Sequence, residues 1–152
     1  MKNNNVPHYD YRILYALRRI SRAVGIYSRK LNAEFGLTTP QLICLDVLEK
    51  ANKMILKDLA KKVNLSESTV NGIVDRLETK NFVIRERSKK DRRKVYLEIT
   101  ASGRKMIKKT PPLLQDKLSV SFAKLSDTEK RNITESLERI VELMHAENLI
   151  QA

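Results

Sequence analysis

The chain is poor in the residues that build metal, redox and hydrolytic sites: its 152 residues include one cysteine and two histidines. A single thiol excludes an intramolecular disulfide and a thiolate metal cluster within one chain. Cys44 lies in the apolar run LICLDVL and reads as a small core residue, with a redox sensor as the sharper alternative. His8 and His145 stand without ligand-type neighbours at metal spacing, so no metal is expected. The sequence has no Gly-rich linker, low-complexity tract, internal repeat, phosphate loop, nucleophile elbow or HExxH motif. An enzyme is therefore not indicated, nor a cofactor. No apolar stretch approaches the roughly 20 residues needed to span a bilayer, and MKNNNVPHYDYR has no signal-peptide h-region, so a cytoplasmic location is expected.

What the chain has is positive charge in one place. The formal charge is +12, and residues 76 to 109 hold 13 Lys and Arg against 4 Asp and Glu. Concentrated charge attracts polyanions, whereas evenly spread charge mostly serves solubility. The length suits one cooperative unit, either a single domain or a small module with helical extensions.

Periodicity places the elements. Residues 1 to 9 are polar and contain Pro7, as expected of a loose arm. From Asp10 to about Phe35, Ile13, Leu17, Ile20, Val24, Tyr27 and Leu31 form a heptad seam, which needs a partner helix from the same chain or a second copy. Gly36 suits a left-handed cap. Thr39 followed by Pro40 predicts the start of a second helix running to about Lys50, and Ala51 to Lys53 read as a polar turn. Leu59, Ala60 and Val63 mark a short third helix, with Asn64 and Leu65 as the turn. Ser66 caps a fourth, whose Val70, Ile73, Val74 and Leu77 face inward. Strands at Val83 to Arg87 and Lys94 to Ile99 flank a loop at Ser88 to Arg93. Thr100 caps a fifth helix, which Pro111 and Pro112 must break. A helical pattern returns from Leu113 to near Lys124, and the Ser126 to Glu129 capping box opens a last helix with Ile133, Leu137, Ile140, Val141 and Met144 on one face. Residues 126 to 147 carry 6 acidic and 3 basic side chains, so this end should turn away from a polyanion.

Helix, turn, helix, hairpin and basic tip in that order compose a winged helix-turn-helix. The fourth helix offers Ser66, Ser68, Thr69, Asn71 and Arg76 to base edges; Asn can pair bidentately with adenine and Arg with guanine. Gly72 permits close backbone approach. Glu67 and Asp75 are awkward there, because carboxylates repel phosphates, though either could accept from a cytosine amino group. Residues 85 to 94 hold Arg85, Arg87, Lys89, Lys90, Arg92, Arg93 and Lys94, a cationic tip suited to the minor groove. Asp91 is placed to orient Arg93 through a charge-assisted pair. The plainer readings are a solvated helix face and a charged tip that prevents edge aggregation.

Over nearly its whole length the chain resembles the MarR family of winged-helix bacterial transcription regulators. The resemblance is carried by Asp91, Arg92 and Arg93, then Val95, Leu97 and Ile99 to Gly103, where the family usually shows DxR followed by LTxxG. Leu65 to Leu77 matches the recognition helix, and Leu37 to Leu48 the second helix. The resemblance implies a mainly α fold with a small β-hairpin wing. It divides into an arm and dimerisation helix at 1–35, a winged helix-turn-helix at 36–109 and C-terminal dimerisation helices at 110–152. It also implies Arg93 in the minor groove, Asp91 orienting it, a two-fold homodimer on double-stranded DNA with Thr39 among the contacts, and a small-molecule effector.

LRRISRAVGIYSRKL, LTTPQLICL and TPPLLQ are further similar to the EctR and CosR subgroup, which implies control of ectoine or betaine genes in the osmotic stress response. A quaternary ammonium effector would need an aromatic cage, for which Tyr11, Tyr15 and Tyr27 are the available rings; core packing is their plainer role. The leading expectation is a dimeric repressor on a pseudopalindromic operator, with helix 66–80 in the major groove and wing 88–94 in the minor groove. The competing one is a non-specific or architectural nucleic-acid-binding protein, held by phosphate contacts alone.

Overall fold

A computed structural model of the chain describes residues 8–91 and 94–144; the expected arm at 1–7, residues 92 and 93, and His145 onward lie outside the described residues. The elements in order are α1 (Tyr9–Phe35), α2 (Thr39–Ala51), β1 (Lys53–Ile55), α3 (Leu56–Val63), α4 (Glu67–Thr79), β2 (Val83–Arg87), β3 (Val95–Ile99), α5 (Ala101–Lys109), α6 (Leu114–Ala123) and α7 (Asp127–Leu143). The chain divides into two compact units, Met1–Pro111 and Pro112–Ala152.

In the first unit the helix ends follow local chemistry. Gly36 closes α1 in the left-handed conformation at φ 63°, its amide donating to the Asn32 carbonyl at 2.9 Å. The expected start of α2 moves back by one residue. Thr38, not Thr39, is the N-cap: its hydroxyl accepts from the Gln41 amide, and the Gln41 side chain accepts from the Thr38 amide at 3.0 Å. This reciprocal box explains why Gln41 can be buried.

With glycine scarce, asparagine takes the positive-φ positions at Asn52, Asn64 and Asn81. After α3, the Leu65 amide reaches back to the Ala60 carbonyl and the Asn64 amide to Lys61. After α4, Phe82 reaches Leu77 and Asn81 reaches Glu78 in the same way. Both are Schellman closures, and the first sets the tight turn that aims α4.

Ser66 caps α4 by accepting from the Thr69 amide at 3.2 Å. Val70, Ile73, Val74 and Leu77 are buried, as their i, i+3, i+4, i+7 spacing predicts. They join a core that includes Leu42, Cys44, Leu45 and Leu48 of α2 and Leu59 of α3. Burying each large aliphatic side chain contributes about 1.5–3 kcal/mol.

The sheet has three antiparallel strands in the order β1-β3-β2, where a two-stranded hairpin was expected. The reading of Ala51 to Lys53 as a turn is corrected at both ends: Ala51 closes α2, and Lys53 pairs with Glu98, Met54 with Leu97 and Ile55 with Tyr96. β2 and β3 pair from Val83 with Ile99 to Arg87 with Val95. Alternation puts Val83, Arg85 and Arg87 on the face shared with Leu97 and Ile99, and Ile84 and Glu86 on the other. On that outer face the Lys53 ammonium binds the Glu86 carboxylate and lies 5.2 Å from the Tyr96 ring centre. Their hydrogen bond raises the Lys53 pKa and lowers that of Glu86.

In the second unit, α7 opens on the expected capping box. The Glu129 amide donates to the Ser126 hydroxyl, and the Ser126 amide to the Glu129 carboxylate at 3.0 Å. The Ser126 hydroxyl and amide hold the Glu129 carboxyl below its usual range. Among the described residues no side chain of α6 or α7 is buried, and Leu118, Val120, Ile133 and Leu137 are exposed. So short a unit does not close a core around itself.

Candidate nucleic-acid interface

The outward side of α4 presents Ser66, Ser68, Thr69, Asn71, Asp75 and Arg76 to solvent, with Gly72 half-exposed between them. A Cβ built on Gly72 would meet nothing within 4 Å, so the fold itself does not require glycine there. At the N-terminal end of the helix the Ser66 hydroxyl shares hydrogen bonds with Ser68 at 3.1 Å and Thr69 at 2.8 Å. Hydroxyls gathered at a helix N-terminus, with its unpaired amides and positive dipole end, suit a phosphate oxygen.

One turn further on, three side chains of α4 converge on Arg85 of β2. Its guanidinium donates to Asn71 Oδ1 at 3.1 Å, to Asp75 Oδ1 at 2.7 Å and to Glu78. Asn71 Nδ2 in turn donates to Asp75 Oδ2 at 3.4 Å. Asp75, awkward in sequence, is thereby neutralised in place, as is Glu78. In sequence Arg85 reads only as part of the basic tip. The signal for its different role is its parity with Val83 in β2, which sends it to the inner face of the sheet.

The wing loop is tied at its base. The Ser88 hydroxyl accepts from the amides of Lys90 at 3.2 Å and Asp91 at 3.1 Å, Ser88 N donates to the Lys94 carbonyl, and Lys94 N to the Asp91 carbonyl. Arg87, Lys89 and Lys90 are exposed around this turn. Arg92 and Arg93, and with them the expected Asp91–Arg93 pair, lie outside the described residues.

The remaining candidates fall elsewhere. Thr39 is half-buried, and its hydroxyl shares a 2.9 Å hydrogen bond with Ser28 of α1, which directs it into the α1–α2 joint. Tyr11 and Tyr15 share an open hollow of about 350 Å³ on α1 with Arg12, Leu14 and Arg18. Tyr27 is not brought to them: it lies 12 residues beyond Tyr15, about 18 Å along the helix, and its hydroxyl donates to the Pro111 carbonyl at 3.3 Å. The Arg19 guanidinium already stands 5.9 Å from the Tyr15 ring centre.

Cys44 is buried, and desolvation pushes its thiol up to about 11. A thiol so placed is a poor nucleophile, which favours the core reading over the redox sensor. The folded protein should leave Ellman's reagent unreacted at about pH 8 and release one equivalent of chromophore only once denatured. Prompt reaction of the native protein would restore the sensor.

The comparisons with known proteins fit this geometry. The family model described as MarR family matches residues 37–95. The HTH-type transcriptional regulator SarZ of Staphylococcus epidermidis is 32% identical over 110 residues, covering 71% of this chain and 72% of that protein. The uncharacterized HTH-type transcriptional regulator YdgJ of Bacillus subtilis is 29% identical over 128 residues, covering 84% of this chain and 76% of that protein. Among solved structures, Streptococcus pneumoniae FabT in complex with DNA superposes with a TM-score of 0.64 at 20% identity, over 90% of this chain and 97% of that one. At that identity the likeness is one of fold, and the fold is a winged helix-turn-helix.

Proposed function

Because the chain belongs to the MarR family of transcriptional regulators, we propose that it works as a homodimer on a two-fold-symmetric operator in double-stranded DNA. The observation that carries this reading is the pairing of a polar outward face on α4 with a cationic wing loop beside it. α4 enters the major groove, with Ser66, Ser68 and Thr69 at phosphate and Asn71 and Arg76 at base edges. The loop carrying Arg87, Lys89, Lys90, Arg92 and Arg93 follows the adjacent minor groove. FabT, the structural neighbour named above, was solved with DNA bound, which supports the same use of the fold here.

Dimerisation rests on apolar surface that one chain leaves open. Ile13, Ile20 and Val24 of the α1 seam and Ile133, Leu137 and Met144 of the α7 seam are all about half exposed. An exposed apolar face along a helix marks an interface. A second copy covers both seams and sets the recognition helices about one DNA turn apart, near 34–36 Å. Occupying a promoter in that way excludes polymerase and represses; the protein catalyses nothing and works in the cytoplasm.

The effector binds at the α1 hollow and acts by preferring a dimer with the wrong helix separation. Control of ectoine or betaine genes is supported by the subgroup likeness. The hollow itself fits a different ligand chemistry. Arg12, Arg18 and Arg19 around the tyrosines suit an anion or neutral aromatic better than a quaternary ammonium, which those guanidiniums would repel.

Substitution separates the two DNA-contacting parts. Arg93→Ala should weaken operator binding about tenfold or more, and Lys124→Ala, outside the basic cluster, hardly at all, as read by fluorescence anisotropy at about 150 mM salt. Equal effects would remove the wing from the reading. A purely architectural binder would instead show one affinity for operator and scrambled duplex.

A further inference from the structure

Asn71 of α4 lies between a guanidinium and a carboxylate, and that fixes which way its amide points. Arginine only donates hydrogen bonds and an ionised carboxylate only accepts them, so Oδ1 must face Arg85 and Nδ2 must face Asp75. The distances follow: 3.1 Å from Arg85 to Oδ1 and 3.4 Å from Nδ2 to Asp75. The same Arg85 nitrogen donates to Asp75 at 2.7 Å, closing a three-membered ring of side chains, while the other terminal nitrogen holds Glu78. Arg85 itself is anchored, with its side chain only 25% exposed, whereas Asn71 and Asp75 face solvent.

Bidentate pairing with adenine requires an asparagine to turn both its carbonyl and its amino group to the base edge. In Asn71 one carbonyl lone pair is held by Arg85 and one N–H by Asp75, so the second lone pair and the second N–H remain for a base, in an orientation the two partners fix. We propose that Arg85 is a specificity-determining positioning residue. By holding one lone pair of the Asn71 carbonyl, with Asp75 on one N–H, it locks the amide in a single orientation, so that the remaining lone pair and the remaining N–H keep a fixed aim at a base edge in the major groove. Arg85 also cancels two carboxylates that would face phosphate. The wing strand thereby sets what the recognition helix reads, without itself touching a base.

This inference rests on the DNA-binding reading, and the experiment separates the two. Operator duplexes varied one base pair at a time are titrated with full-length wild type, Asn71→Ala, Arg85→Lys, Arg85→Ala and the Asn71→Ala, Arg85→Lys double variant. Thermal unfolding is followed in parallel. Lysine keeps the positive charge beside Asp75 and Glu78 but cannot fork between partners, so it spares the electrostatics and removes the positioning. Each Arg85 variant should lose about tenfold of preference at the one half-site position that Asn71→Ala relaxes, with the double variant losing no more there and other positions unchanged in Arg85→Lys. Full retention of that preference in Arg85→Lys, uniform weakening across all duplexes, or no relaxed position in Asn71→Ala would each overturn the inference. If Arg85→Ala fails to fold, the lysine variant decides. Wild type that prefers no base pair anywhere would overturn the sequence-specific reading, and this inference with it.

Discussion

Gly103→Ala is expected to destabilise the protein by about 3 kcal/mol, lowering the midpoint of thermal unfolding by about 10 °C in a chain of this size. A Cβ at residue 103 would stand 2.4 Å from the Phe82 carbonyl oxygen and 2.7 Å from Ile99 Cγ1. The surroundings cannot yield, because they are tied by backbone hydrogen bonds. The Phe82 carbonyl accepts from Thr100 N at 3.0 Å, the Thr100 hydroxyl donates to the Asn81 carbonyl at 2.6 Å, and the Gly103 amide donates to that same hydroxyl at 3.0 Å. The Ile99 to Gly103 run, which resembles the family's LTxxG, is thus a clamp joining the start of α5 to the turn between recognition helix and wing.

Gly72→Ala is the contrasting control. It lies in a helix with open space around the position, and alanine is the better helix former by about 1 kcal/mol, so the fold should gain stability. If the α4 backbone approaches DNA closely, the same substitution weakens operator binding. Differential scanning calorimetry checks both variants, and a Gly103→Ala protein within about 1 kcal/mol of wild type would refute the clamp.

Leu137→Glu is expected to separate the proposed dimer and to cost about 10²- to 10⁴-fold in operator affinity, because a single chain engages one half-site and loses the effective concentration of the second. Leu137 is 50% exposed in one chain, so the carboxylate is solvated in the monomer and penalised only where a second copy would bury it. Sedimentation equilibrium should give twice the chain mass for wild type and the chain mass for the variant, with helicity retained by circular dichroism. A variant that stays dimeric would move the interface off α7, and a wild type that is monomeric at micromolar concentration would contradict the homodimer.

The parts legible in sequence are those fixed by local chemistry. Ser66, Thr100 and Ser126 announce helix starts because a hydroxyl accepts from an amide three residues on. The inward stripe of α4 is legible because burial follows helical period. What escaped depends on partners distant in sequence. β1 is three residues long and exists by pairing with β3, more than forty positions later. The choice of Thr38 over its neighbour turns on which hydroxyl the Gln41 amide meets, and Thr39 is drawn to Ser28 eleven residues earlier. Arg85 reads in sequence as one more wing cation, and only strand parity and the nearness of α4 turn it toward Asn71 and Asp75.

The most direct test of the account is selection from a random duplex library by the full-length protein at about 150 mM salt, followed by sequencing of the bound fragments. The account predicts one enriched motif with two-fold symmetry, its half-sites centred about 10 base pairs apart, bound about 10³-fold more tightly than scrambled duplex. A library that emerges unenriched, with one salt-sensitive affinity for every sequence, would contradict it.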